Sequence, residues 1–514
     1  MRLNSCRFVF STRLITSSMA LLCALPLLGH ARLERDINSL RTVIVGGGPS
    51  LEYNQVAIES NVRYVQKLLP PKGGRTTLFA DGNLNSPTVL TDIDIRKLPE
   101  SERLLRLLLE DRDALAISPT QYRKPNLVGQ LDGATKPSTL RRVFGKLAEE
   151  ADKDPKMHLF LYFTGHGSSD RQSNENNIFD MWGEEAFTVR DLSKQVARLP
   201  ANVPITLIMV QCHSGSFANL LFEGGDPKAD IVDRDVVGFF ATIKERPAAG
   251  CTSEVNEAEY RDFTSYFFAA LTGQDRLGRR VIGADYNRNG RIGMDEAFCY
   301  TLIHDRSIDI PICTSDIFLR RFVPHTDTEV FRAQYSDVLD WATSGQRAAL
   351  LALAKTLGRE SGEDRLAVAY QDMTRGFYRL GANDPGDSTQ QQLALRRDYK
   401  SARERARQRL FARFPEIEKE MEPRNRMQAR RYLEADRENE VWGHLLKTAD
   451  TLNRLETDSE KREVAESHLI RFVRLGKSII LAHRLREGNN RILKDRFERL
   501  VQGEASTLLP PARD

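Results

Sequence analysis

The chain has 514 residues, too many for one ordinary core, so two or three folded units are expected. Its 40% hydrophobic and 28% charged residues exclude a fibrous or disordered chain. Seventy-five basic against 71 acidic residues leave a net charge of only +4, which argues against nucleic acid as a partner.

In chain order, Arg2, Arg7 and Arg13 precede an uncharged apolar run from Leu14 to Leu28, followed by small residues in "GHA" at 29 to 31. This pattern predicts a signal peptide over 1–31 and an exported protein, periplasmic or secreted. The run is shorter than the ~20 residues a membrane-crossing helix needs, so no integral membrane segment is expected in the mature chain. Cleavage after Ala31 removes three arginines and no acid, taking the charge from +4 to +1. Four cysteines then remain: Cys212, Cys251, Cys299 and Cys313. Cys299 and Cys313 flank one short stretch and are the favoured disulfide pair, with Cys251 an alternative partner for either.

"VIVGGG" at 43 to 48 predicts a strand, and Val56 to Leu69 a helix. Further strands are expected at 76–80, 158–163, 205–210 and 236–242, with a helix at 140–151. Strands that are apolar throughout and alternate with helices indicate a largely parallel sheet covered on both faces. A dinucleotide fingerprint starting at Gly46 would need glycine at 51, where Leu51 stands, so the glycines are read as a tight turn. From about 328 the spacing becomes helical, as in Val330, Phe331, Tyr335, Val338 and Leu339, and an all-α region over 328–514 is expected. "GANDPGDSTQ" at 381 to 390 reads as a loop dividing it.

Two strand ends carry the chemistry. "FTGHGSS" puts His166 beyond one strand, and "VQCHSGS" puts Cys212 beyond its neighbour. In a parallel sheet the carboxyl ends of adjacent strands line one crevice, so residues 46 positions apart can meet. A thiolate is the attacking species, and an imidazole both takes its proton and later protonates the leaving amine. The adjacent glycines permit close backbone approach, making the N–H groups of Gly167 and Cys212 the expected oxyanion hole. His213 is read as a loop-shaping neighbour. Zinc held by His158, His166, Cys212 and His213 is disfavoured, because the spacing matches no structural zinc site.

"YFTGHGSS" and "VQCHSGSF" resemble the histidine and cysteine motifs of caspase-like cysteine peptidases, the group that includes metacaspases and legumains. "FTVRDL" at 187 to 192 is similar to the segment between those motifs in legumain-type enzymes. The resemblance covers about 42–315 and implies a caspase-like three-layer α/β/α sandwich with His166 as general base and acid and Cys212 as nucleophile. It implies peptide-bond hydrolysis through an acyl-enzyme, with a protein or peptide as substrate. It also implies that "ATIKERPAAG" at 241 to 250 lines the first specificity pocket, giving Gln211, Lys244, Glu245 and Arg246 as substrate-binding residues. Where metacaspases carry an aspartate two residues before the cysteine, this chain has Val210, so acidic, basic and Asn-like preferences all stay open. Family members are often cut between the cysteine strand and the next strand; here that region is 222–235, with Lys228 and Arg234 as expected self-cleavage points.

"DYNRNGRIGMDE" at 285 to 296 follows a calcium-loop pattern, with Asp285, Asn287, Asn289, the Arg291 carbonyl and Glu296 as expected ligands of a structural Ca2+. Only Asp285 and Glu296 bring charge to ligand positions, so an affinity of ~10⁻⁴ to 10⁻³ M is expected. Two other readings stand beside the endopeptidase: a catalytically silent scaffold that binds a protein through its helices, and a transpeptidase using the same dyad. The sequence fixes neither oligomeric state nor a partner for the helices.

Overall fold

Leu159, Leu161 and Phe163 pack into one apolar cluster, and the intervening Phe160 and Tyr162 into another. This period of two is what a strand buried on both faces requires. The computed structural model describes residues 38–69, 74–92, 99–109, 120–125, 127–251, 256–376, 385–419 and 423–508. The leader expected at 1–31 lies outside them.

The elements run β1 (Leu40–Gly47), α1 (Val56–Leu68), β2 (Arg75–Phe79), β3 (Val89–Asp92), α2 (Glu100–Leu109), β4 (Thr120–Arg123), α3 (Pro137–Ala151) and β5 (His158–Ser168). They continue as β6 (Ile178–Met181), β7 (Glu185–Thr188), α4 (Val189–Val196), β8 (Ile205–Met209), β9 (Val236–Phe240), α5 (Phe263–Thr272), α6 (Met294–His304), β10 (Ile312–Cys313) and α7 (Thr314–Phe322). The main sheet has the order β10-β9-β8-β5-β1-β2, parallel except for β10. Helices α3 and α4 cover one face and α1, α5 and α6 the other, which makes three layers. Each fully buried Leu or Phe in these clusters contributes ~1.5–3 kcal/mol.

The predicted strands and the helices at 56 and 140 are all present. An antiparallel pair, β3–β4, and an antiparallel hairpin, β6–β7, were not expected. "FTVRDL" is a strand end running into a helix: Asp191 N–H donates to Thr188 Oγ1 and Thr188 N–H donates to Asp191 Oδ2, a reciprocal cap that starts α4.

Beyond Cys313 every described element is a helix: α7, then α8 (Asp327–Val330), α9 (Tyr335–Trp341), α10 (Ser344–Thr356), α11 (Arg365–Arg375), α12 (Pro385–Arg413), α13 (Pro415–Lys419), α14 (Pro423–Ala435), α15 (Glu440–Glu487) and α16 (Arg491–Glu504). The loop expected at 381–390 is corrected in part, since α12 already begins at Pro385. Proline suits a first helical position, where its missing N–H has no helical partner to lose; residues 381–384 lie outside the described residues. Helix α15 has 48 residues, about 70 Å at ~1.5 Å per residue. Its Trp442, Leu445 and Leu452 pack with α2, α12 and α14, while its Leu469, Phe472 and Ile480 pack with α6, α7 and α10. No helix among the described residues is long and apolar enough to cross a membrane.

Candidate active site

Strands β5 and β8 are in parallel register from Leu159↔Ile205 to Phe163↔Met209, and Val210 N–H continues the ladder to Phe163 O at 3.0 Å. His166 and Cys212 each stand three residues beyond the last pair, so the register brings them to the same sheet end. Gly167 marks how closely the two strand ends approach. A methyl built there would lie 2.3 Å from Cys212 O and 3.0 Å from Ile178 O, so only glycine fits without moving the backbone.

His166 is part-buried, with Nε2 2.9 Å from Gln55 Oε1 and its ring edge-on to Tyr53 at 5.5 Å. Burial pulls its imidazole below the usual value, against the opposing effect of a hydrogen bond to the Tyr53 backbone. The ring is therefore neutral at neutral pH, the form a general base needs. Burial pushes the Cys212 thiol up, while Ala248 N–H, donating to Sγ at 3.3 Å, works the other way. Sγ in turn lies 3.7 Å from Ala248 O. At rest Cys212 is a thiol and His166 a neutral imidazole, and each is bonded to groups other than the other.

His213 adopts the left-handed region at φ 60° and donates its N–H to Arg246 O at 2.9 Å. Its Nδ1 is 3.0 Å from Lys244 O, which ties it to the 241–250 loop. His158 sits at the far end of β5, eight residues from His166 and so roughly 26 Å away, which removes it from any zinc site with the other three.

Of the residues expected to bind substrate, Lys244 pairs with Glu175, and Arg246 with Glu466 of α15 at 3.4 Å. Glu245 has the most exposed side chain of the three, at 49%. Gln211 is only 1% exposed, and neither of its amide atoms has a hydrogen-bond partner among the described residues. Two residues missed in the sequence hold the site together. Asn177, fully buried, donates to His213 O at 3.3 Å and Lys244 O at 2.9 Å, joining the cysteine loop to the pocket loop. Asp180 stands opposite His166 in the β5–β6 register, and burial raises its carboxyl. A lone Asn and a lone Asp in a polar stretch give no sequence signal; only the unpredicted hairpin brings them to the site.

All four described cysteines are free thiols, which corrects the expected pairing of Cys299 with Cys313. Cys313 Sγ lies 3.2 Å from Ser315 Oγ, and Cys299 packs against Gly345. Cys251 donates to Gly165 O at 3.4 Å, next to His166, and burial, then the neighbouring Cys212, raises its thiol.

The loop at 285–296 turns its side-chain oxygens inward. Asp285 accepts from Asn289 N and Gly290 N, Asn287 Oδ1 from Asn289 N, and Asn289 Oδ1 from Arg291 N. Glu296 accepts from Asn287 N and Gly293 N, both at 3.1 Å, and Gly290 has φ 77°, the left-handed turn such a loop requires. This donor set of carboxylate and amide oxygens suits a hard cation. Among the described residues no cluster of three or more His, Cys, Asp or Glu side chains forms a metal site, so a cation here would need amide and backbone oxygens beside the two carboxylates of Asp285 and Glu296. No protein-family model and no curated protein matches the chain.

Proposed function

We propose that the protein is a caspase-like cysteine endopeptidase, exported by the leader at 1–31, that hydrolyses protein or peptide substrates through a Cys212–His166 dyad. The observation that carries this reading is the common sheet end of His166 and Cys212, with Gly167 packed on the Cys212 carbonyl. His166 takes the proton from Cys212, and Sγ attacks the scissile carbonyl, whose oxygen faces the Gly167 and Cys212 N–H groups. The imidazolium then gives its proton to the departing amine, leaving an acyl-enzyme that water, deprotonated by the same imidazole, hydrolyses. His166 must first leave Gln55, so substrate binding is coupled to a change in the Gln55 contact. Asp285, Asn287, Asn289, the Arg291 carbonyl and Glu296 would hold a structural Ca2+ that braces the start of α6 and takes no part in the chemistry.

The silent-scaffold reading draws support from the resting contacts, in which His166 and Cys212 are bonded to other groups. Turnover of a fluorogenic peptide library separates the two. The peptidase reading expects activity in the wild type and none in Cys212→Ala; equal rates would overturn it. A product that incorporates an added amine in place of water would assign transpeptidation.

A further inference from the structure

Cys212 is gripped by a chain segment that is itself gripped by α15. Arg471 of α15, whose side chain is fully buried, donates from Nε to Asp309 O at 2.7 Å, from one terminal nitrogen to Asp305 O at 2.5 Å and from the other to Ser307 O at 3.0 Å. Ser467 Oγ donates to Ile308 O at 2.9 Å, and His468 Nε2 lies 3.3 Å from Asp305 O. One and a half turns of a single helix thus hold four carbonyls of the 305–309 turn. That turn aims the Asp309 carboxylate at the 241–250 loop, where it accepts from Ala249 N at 2.7 Å, and at the start of α5, where it accepts from Phe263 N at 3.2 Å. The preceding residue, Ala248, is the one whose N–H meets Cys212 Sγ. A second tether leaves the same helix: Glu466 pairs with Arg246, whose carbonyl receives the N–H of His213, the residue after the nucleophile.

We infer that α15 is the positioning element of the cysteine site, with Arg471 acting through Asp309 and Glu466 acting through Arg246 to fix residues 246–249, the stretch that contacts Cys212 Sγ and the His213 N–H. The inference rests on the peptidase reading for its functional consequence, though not for its geometry. It gives the helical region a role the sequence did not suggest: the site is built by both parts of the chain. Arg471 and Glu466 are positioning residues, since neither touches the thiol. The other titratable groups acting on the thiol are Asp309 and Asp180 of β6, with Cys251 close by and His213 next in sequence.

The test uses the full chain and two variants. Arg471→Lys keeps the charge but loses the three-way fork. Glu466→Gln breaks a pair in which both side chains are 19% exposed, a change small enough to leave the fold intact. Two rates are read at Cys212 by peptide mapping: alkylation by iodoacetamide and labelling by a peptide acyloxymethyl ketone. Release of the 241–250 loop uncovers the thiol, so alkylation is expected to speed up several-fold. Ketone labelling, which needs the assembled pocket, is expected to fall about tenfold or more. Folded variants with both rates unchanged would overturn the inference, and Glu466→Gln alone decides it if Arg471→Lys does not fold. Wild type that reacts with iodoacetamide but never with the ketone sinks the peptidase reading instead, while a faster alkylation in the variants would still support the clamp.

Discussion

A methyl group on Gly167 would lie 2.3 Å from the carbonyl oxygen of Cys212, so the histidine strand and the cysteine loop are in backbone contact. Gly167→Ala must push the two apart. The expected cost is about 1–3 kcal/mol of stability, the usual range for overpacking, together with loss of covalent labelling at Cys212. A denaturant melt and an adduct map check both; normal labelling in the variant would mean that this approach does not set the site.

Much of this arrangement was legible in the sequence because parallel strands announce themselves as apolar runs, and the register then follows from their ends. Val43, Leu161 and Leu207 are buried on one face and Ile44, Tyr162 and Ile208 on the other, a pattern local enough to read. The pieces that close the site were not legible. Asn177 and Asp180 lie on or beside a short hairpin that pairs with the carboxyl end of β5, and Arg471 looks in the sequence like one more arginine on a charged helix. Its three carbonyl partners lie more than 160 positions away. Contacts of that separation leave no periodic trace.

The calcium loop yields a stability prediction. At calcium tenfold above its Kd the native state gains about 1.4 kcal/mol by mass action, so millimolar calcium should raise Tm and a chelator should reverse the rise. Glu296→Gln should abolish the calcium-dependent part. Calorimetry showing identical melts with calcium and with chelator would remove the ion from the account.

His468 gives a pH dependence. Burial, then the neighbouring Arg471, pulls its imidazole down to about 4. The unfolded ring titrates near 6.5, so above that value both states are neutral and nothing changes. As pH falls from 6.5 toward 4 the unfolded chain takes up the proton first, and stability is lost at ~1.4 kcal/mol per unit, about 3 kcal/mol in all. Burial raises the carboxyls of Asp305 and Asp309, which acts in the opposite direction at acid pH. The informative quantity is therefore the difference between wild type and His468→Gln, which should shift in favour of the variant as pH falls. Parallel stability curves across that window would contradict the assignment.

Self-processing is expected at Lys228. Its residue is exposed, whereas the Arg234 guanidinium is held by the carbonyls of Leu199, Pro200 and Val203. Mass spectrometry should find a cut after Lys228 in purified wild type and an intact chain in Cys212→Ala. Two identical intact masses would rule this out.

The central claim is that Cys212 and His166 act as one catalytic pair, and covalent adduct mapping tests it most directly. The mature protein is incubated with peptide acyloxymethyl ketones bearing Arg, Lys, Asn or Asp next to the reactive group, with and without calcium. The account predicts labelling confined to Cys212, sparing Cys251, Cys299 and Cys313, and lost in His166→Ala. No labelling by any of these probes, in protein shown to be folded, would contradict it.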